Sequence, residues 1–319
     1  MFHLSSDNNL GIELRDVVVN TLMNVMQHNK KVVALDADLS GASNFNKFQN
    51  EGTVPFIDVG ISEANMIGVA AGLSLSGYVP FVHTFAPFAT RRVLDQLFLA
   101  GAYSHNAINI YGSDPGFTAG FNGGTHTSYE DVSSLRAIPE TVICDAADDT
   151  QMAWIIKEFS QLGSGVHYVR GNRKAVKKVY SENSKFVLGK GNLLRTGKDI
   201  LIVASGQLVS EALDVATMLD KKGIKSDVID MFTLKPFDNE LVLNRITGKK
   251  KVVTIENHNI INGLGSAVAE VMAENAVNIP LIRVGNTDRF GQVGTPAFLQ
   301  EEYGLTSEKI LVASRILCK

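Results

Sequence analysis

Short, almost wholly apolar runs alternate along this chain with longer stretches whose apolar residues recur at helical spacing. Few folds accommodate that alternation. A run with no polar positions must be covered on both faces, as happens in a parallel sheet held between layers of helices. Val32 to Leu35, Phe56 to Val59, Val79 to His83, Ile108 to Tyr111, Thr141 to Cys144 and Val166 to Val169 read as strands. Helices are expected over residues 11–29, 64–76, 90–103, 131–137 and 149–162. A charged, strand-poor segment, residues 171–198, reads as a linker. A second series follows, with strands over 200–206, 225–230 and 252–256 and helices over 207–222 and 266–276. The expected fold is therefore α/β with two doubly wound parallel-sheet domains, residues 1–185 and 186–319. A length of 319 residues, 45% of them hydrophobic, is enough for two cores.

Charge and composition narrow the possible partners. A formal net charge of -3 offers no electrostatic reason to expect nucleic acid or an anionic membrane. Basic residues do cluster within 170–178 and at Lys249-Lys250-Lys251, where the second cluster reads as a solvated turn. Cys144 and Cys318 lack metal-ligand spacing, so no metal site is expected and a reducing, cytoplasmic setting fits best. The first residues carry no charged region followed by an apolar core, and no window approaches about 18 uninterrupted apolar residues, so neither secretion nor membrane spanning is expected.

Chemistry is most clearly suggested at Asp58-Val59-Gly60-Ile61-Ser62-Glu63, where an apolar strand gives way to a helix with a carboxylate in its first turn. Taken alone, Glu63 need only complement the helix dipole. Ligands of open α/β sheets, however, bind beyond the carboxyl ends of strands, and Glu63, Phe85, Phe88 and His126 all follow strands or lie in such loops. Judged locally, Phe85 and Phe88 read as core rings. Asp38 reads as a turn cap, Arg15 and Arg170 as surface cations, and His126 as a loop histidine whose preceding glycines permit close backbone approach.

Four segments together carry a family resemblance: Pro80 to Arg91, with Phe85-Ala86-Pro87-Phe88 at its centre; Gly123-Gly124-Thr125-His126; and the C-terminal Glu256-Asn257-His258-Asn259 and Phe290-Gly291-Gln292-Val293-Gly294-Thr295. In order and spacing they resemble the pyrimidine-binding and C-terminal domains of thiamine-diphosphate enzymes of the transketolase group. The resemblance implies that Glu63 bonds the cofactor aminopyrimidine and shifts it to the imino form that deprotonates the thiazolium ring. It also implies that Phe88 stacks on the pyrimidine, that Phe85 lines the pocket and that Asp38 lies near the cofactor. Arg15, Arg170 and His126 match substrate-binding residues, with His83 and Arg91 as further candidates.

Two positions depart from that group. Asn122 stands where an acidic residue reads a donor hydroxyl, and Asp114 stands where a histidine would hold substrate phosphate, so a carboxylate is expected there to repel an anion. No Gly-Asp-Gly segment that would hold Mg2+ and the diphosphate is found. The resemblance thus implies a split enzyme. An N-terminal subunit would bring that domain, and the two would assemble as α2β2 around a sugar or sugar-phosphate substrate. The alternatives are the β subunit of a 2-oxoacid dehydrogenase, against which the Glu256 to Asn259 and Gly291 to Thr295 segments stand, and a non-catalytic regulator.

Overall fold

A computed structural model describes residues 1–6, 9–50 and 55–314. Cys318 lies outside the described residues. The first sheet contains β1 (Val32–Asp36), β2 (Phe56–Asp58), β3 (Val79–Phe85), β4 (Ile108–Ser113), β5 (Thr141–Asp145) and β6 (Val166–Gly171). The second contains β7 (Asn192–Arg195), β8 (Ile200–Ala204), β9 (Ser226–Asp230), β11 (Lys251–Asn259) and β12 (Leu281–Asn286). Between β9 and β11 in sequence, β10 (Thr233–Lys235) leaves its own half and pairs antiparallel with β5, giving a seven-stranded order β10-β5-β6-β4-β3-β1-β2. The second sheet runs β12-β11-β8-β9-β7. All other pairs are parallel except β7 with β9.

The architecture is the expected pair of doubly wound α/β units, and three local expectations change. Residues 171–198 are not strand-free, because β7 adds an edge to the second sheet. The helix expected over 90–103 is a 3-10 turn, a short α segment and a π-helical stretch, Leu97–Tyr103. Lys249 is not solvated: its side chain is 6% exposed and lies 3.0 Å from Asp227.

Register positions the site. Along the carboxyl edge of the first sheet Asp36 pairs with His83, His83 with Tyr111, Phe85 with Ser113, and Asp145 with Arg170. Three of the strands that reach that edge, β1, β4 and β6, are buried along their whole lengths. The helix Leu14–His28 covers one face with Leu14, Val18, Leu22 and Met26, each contributing on the order of 1.5–3 kcal/mol by burial. The helix Glu63–Leu75 covers the other face, burying Met66, Ile67, Ala70 and Ala71. No described helix is long and apolar enough to cross a membrane.

Candidate active site

Gly60 turns the chain at φ +73° after β2, and the helix that follows opens with Glu63, whose side chain is 4% exposed. Its Oε1 accepts a 2.6 Å bond from Nη1 of Arg92, a side chain still 42% exposed. The same guanidinium lies over Phe88, with Cζ 3.7 Å from the ring centroid. A planar nitrogen cation thus bridges the buried carboxylate and an aromatic face.

Phe88, Phe85 and His126 form one ring cluster, with centroids 6.2 Å apart for the two phenyl rings and 5.8 and 5.1 Å from His126 to Phe85 and Phe88. The two contacts to His126 are edge-on and the phenyl pair is tilted at 59°, arrangements that fix ring orientation. Arg91, next to Arg92, points elsewhere: it pairs with Glu130 at 2.5 Å and donates to the Thr125 carbonyl at 3.2 Å, bracing the His126 loop from outside. It also lines a cavity of about 510 Å³, together with Thr127, Tyr129, Arg289 and Phe290. Asn122 is exposed at the end of the 3-10 segment Gly116–Asn122. Asp38 is exposed at φ +60°, and its backbone N–H donates to Asp58 at 3.0 Å.

Asp114 is not the free carboxylate expected. It is buried, and both its oxygens are taken by Arg173, through the backbone N–H at 2.9 Å and through Nε. Burial pushes its pKa up and the Arg173 guanidinium opposes that rise. The charge that would repel an anion is therefore compensated by a cation that lies 4.9 Å from the Phe85 centroid. The Arg15 backbone N–H reaches the Arg173 carbonyl at 3.3 Å, so the two arginines occupy the same edge. The Arg15 guanidinium pairs with Glu13 at 2.7 Å.

Two expected substrate contacts are corrected by burial. His83 is fully enclosed, with Nδ1 2.7 Å from Asp36 and Nε2 3.0 Å from Ser113. Acid, histidine and serine line up as in a hydrolytic triad, yet all three are 0% exposed and no substrate reaches them. Arg170, 1% exposed, bonds Asp131 at 2.7 Å, Asp145 at 3.1 Å and the Asn257 carbonyl at 3.0 Å. Tyr168 adds a 2.7 Å bond to Asp131. Arg170 thus closes a buried network that ties the two halves together and has no face toward a ligand. The loop Gly263-Leu264-Gly265 is filled likewise: the Leu264 and Gly265 N–H groups donate to the Glu256 carboxylate at 2.7 and 2.8 Å.

Arg92 and Arg173 are not singled out by the sequence. Their common signal is an arginine within a few residues of a loop aromatic or a strand end, which is too frequent to select them. Among the described residues no group of three or more His, Cys, Asp or Glu could hold a metal ion.

Residues 11–178 match the family model of the transketolase pyrimidine binding domain, and residues 189–310 that of the transketolase C-terminal domain. The chain is 46% identical over 303 residues to the 6-deoxy-6-sulfo-D-fructose transketolase subunit of Clostridium sp. (strain MSTE9), covering 94% of this chain and 93% of that protein. It is 34% identical over 307 residues to one subunit of the apulose-4-phosphate transketolase of Phocaeicola vulgatus, covering 95% and 96%. Among solved structures it superposes on a split gene transketolase, an inactive beta4 tetramer, with a TM-score of 0.86 and 38% identity over 96% of this chain and 98% of that one. With both domain models in sequence and relatives of matching length, the chain belongs to the transketolase family.

Proposed function

We propose that this chain is the C-terminal subunit of a split, thiamine-diphosphate-dependent transketolase that moves a two-carbon ketol unit from a ketose to an aldose, and that it is active only with a partner subunit. The observation that carries the proposal is the buried Glu63 carboxylate sharing one planar, nitrogen-bearing group with the face of Phe88. An aminopyrimidine makes the same two demands, a hydrogen-bond partner for a ring nitrogen and a flat apolar face, so the residues fit the group. The chemistry supplied by thiamine diphosphate, when bound, is a nucleophilic carbon and an electron sink for breaking the ketose carbon–carbon bond.

The chain's own residues have distinct tasks in this reading. Glu63 shares a proton with the ring nitrogen from a nearly water-free position at a helix start. Phe88 presents its face once Arg92 swings aside, and Phe85 and His126 wall the reacting end. Asn122 and His126 face the sugar hydroxyls. Arg15 and Arg173 take the anionic end of the donor, a role suited to guanidinium groups. Relatives named for a sulfo-sugar and a sugar phosphate support an anionic donor. Asp38 lies at the cofactor's border with the partner.

The partner brings the diphosphate-binding domain and Mg2+, in an α2β2 assembly working in the cytoplasm. The similar split gene protein described as an inactive beta4 tetramer supports both self-association and the need for that partner. The test is Glu63→Gln in the reconstituted enzyme. Gln keeps a hydrogen bond and loses the shareable proton, so assembly is expected to persist while turnover falls by about 100-fold or more. Unchanged turnover would remove Glu63 from the mechanism.

A further inference from the structure

Two C-terminal segments, Glu256 to Asn259 and Phe290 to Thr295, have no part in the cofactor chemistry, yet both press on the loop that carries Asn122 and His126. At the loop's entry Asn257 grips both sides of Gly116: its Oδ1 accepts the Phe117 N–H at 3.1 Å and its Nδ2 donates to the Pro115 carbonyl at 3.0 Å. At the exit the Asn259 N–H donates to the Tyr129 carbonyl at 2.9 Å. The carboxyl end of β11 therefore straddles the base of the loop.

The tip rests on the second segment. A methyl group on Gly123 would lie 2.8 Å from Val293, one on Gly124 would strike the Gly291 carbonyl, and one on Gly291 would lie 2.5 Å from Thr127. Gly116, Gly120 and Gly123 all sit at positive φ, 58, 59 and 74°. Glycine takes these conformations without strain but brings no side chain to hold them. The loop's shape is thus imposed by its contacts. A Cβ on Gly116 would collide with the Asn257 amide, so the glycine is required for the grip itself.

We infer that Asn257 is a positioning residue: through it, the C-terminal domain fixes the loop bearing Asn122 and His126 and so sets affinity for the sugar donor. The inference rests on the reading of those two residues as substrate contacts. It is tested with Asn257→Ala and, from the opposite side, Gly291→Ala, which drives a methyl at Thr127. Glu270→Ala, which breaks the 2.6 Å Arg136–Glu270 pair between the same domains, is the control for looser docking alone. Amide exchange is followed by mass spectrometry on the chain alone, and kcat and KM are measured after reconstitution with the partner subunit.

Asn257→Ala should speed exchange in residues 115–129 by about tenfold or more, with the rest of the chain unchanged. It should raise the donor KM by about tenfold while kcat stays within about threefold. Asn257→Asp keeps the acceptor for Phe117 but sets an oxygen against the Pro115 carbonyl, so it should recover neither effect; full recovery would overturn the two-sided grip. Glu270→Ala should show neither. Unchanged exchange in 115–129, protection lost equally throughout both domains, or a KM that stays put while the loop opens would each overturn the inference. A wild-type pair with no two-carbon transfer would refute the proposed function instead, and the exchange data would still decide the clamp.

Discussion

Arg170→Met separates a structural arginine from a substrate arginine. The wild-type guanidinium, 1% exposed, serves Asp131, Asp145 and the Asn257 carbonyl. Methionine fills most of the volume and leaves two buried carboxylates without their counter-ion, a loss of about 3–5 kcal/mol. In domains of this size each kcal/mol shifts the melting temperature by roughly 2–4 °C, so a drop of about 6–20 °C is expected in thermal unfolding of the chain alone. The deficit should depend on pH. Burial already raises the Asp145 pKa, and Arg170 is the main cation pulling it down. Without that pull the folded-state value rises further above the unfolded one. A carboxyl raised in this way stabilises the fold at low pH and loses that contribution as pH rises through its folded value, so the deficit should be larger at about pH 8 than at about pH 5. A variant that melts within about 2 °C of wild type while its donor KM rises would refute this reasoning and return Arg170 to the substrate.

Arg92→Ala frees Glu63 and the Phe88 face; because Arg92 is 42% exposed, its pairing with them is worth only about 1 kcal/mol, and titration calorimetry on the assembled enzyme should show cofactor binding about fivefold tighter. Weaker binding would mean that Arg92 touches the cofactor instead of yielding to it. Asp230, buried among Tyr180, Gln151 and Asn192, has its carboxyl pushed up to about 7 by desolvation, against an ordinary value near 3.9. The folded state therefore holds a proton that the unfolded chain releases, and wild-type stability from this group should fall as pH rises from about 4 to 7. Asp230→Asn should flatten that part of the melting-temperature profile; a parallel profile would exclude Asp230 as its source.

Strand positions could be read from sequence because a strand buried on both faces is mostly apolar, as β1 is from Val32 to Leu35; β4 and β6 are equally buried but carry Asn109, His167 and Arg170 within them. Glu63 at a helix start and the aromatic pair Phe85 and Phe88 were likewise visible, since helix onset and loop aromatics are local signals. What local pattern cannot carry is which distant charge meets a given side chain. Asp114 reads as repulsive only while its partner, Arg173, is unknown. Arg170 reads as a surface cation until Asp131 and Asp145 close around it. The three-residue β10 escapes for the same reason, because its pairing with β5 lies far away in the chain. His83 has the composition of a site residue, and only the register that sets it between Asp36 and Ser113 shows it to be enclosed.

The central claim is that this chain supplies half of a thiamine-diphosphate site. The most direct test is to mix it with a diphosphate-domain transketolase subunit, thiamine diphosphate and Mg2+, and to follow two-carbon transfer across phosphorylated, sulfonated and uncharged ketoses. Transfer in the mixture alone, with an anionic ketose preferred, is the predicted result. A stable complex that turns over no ketose, or transfer by this chain without its partner, would contradict it.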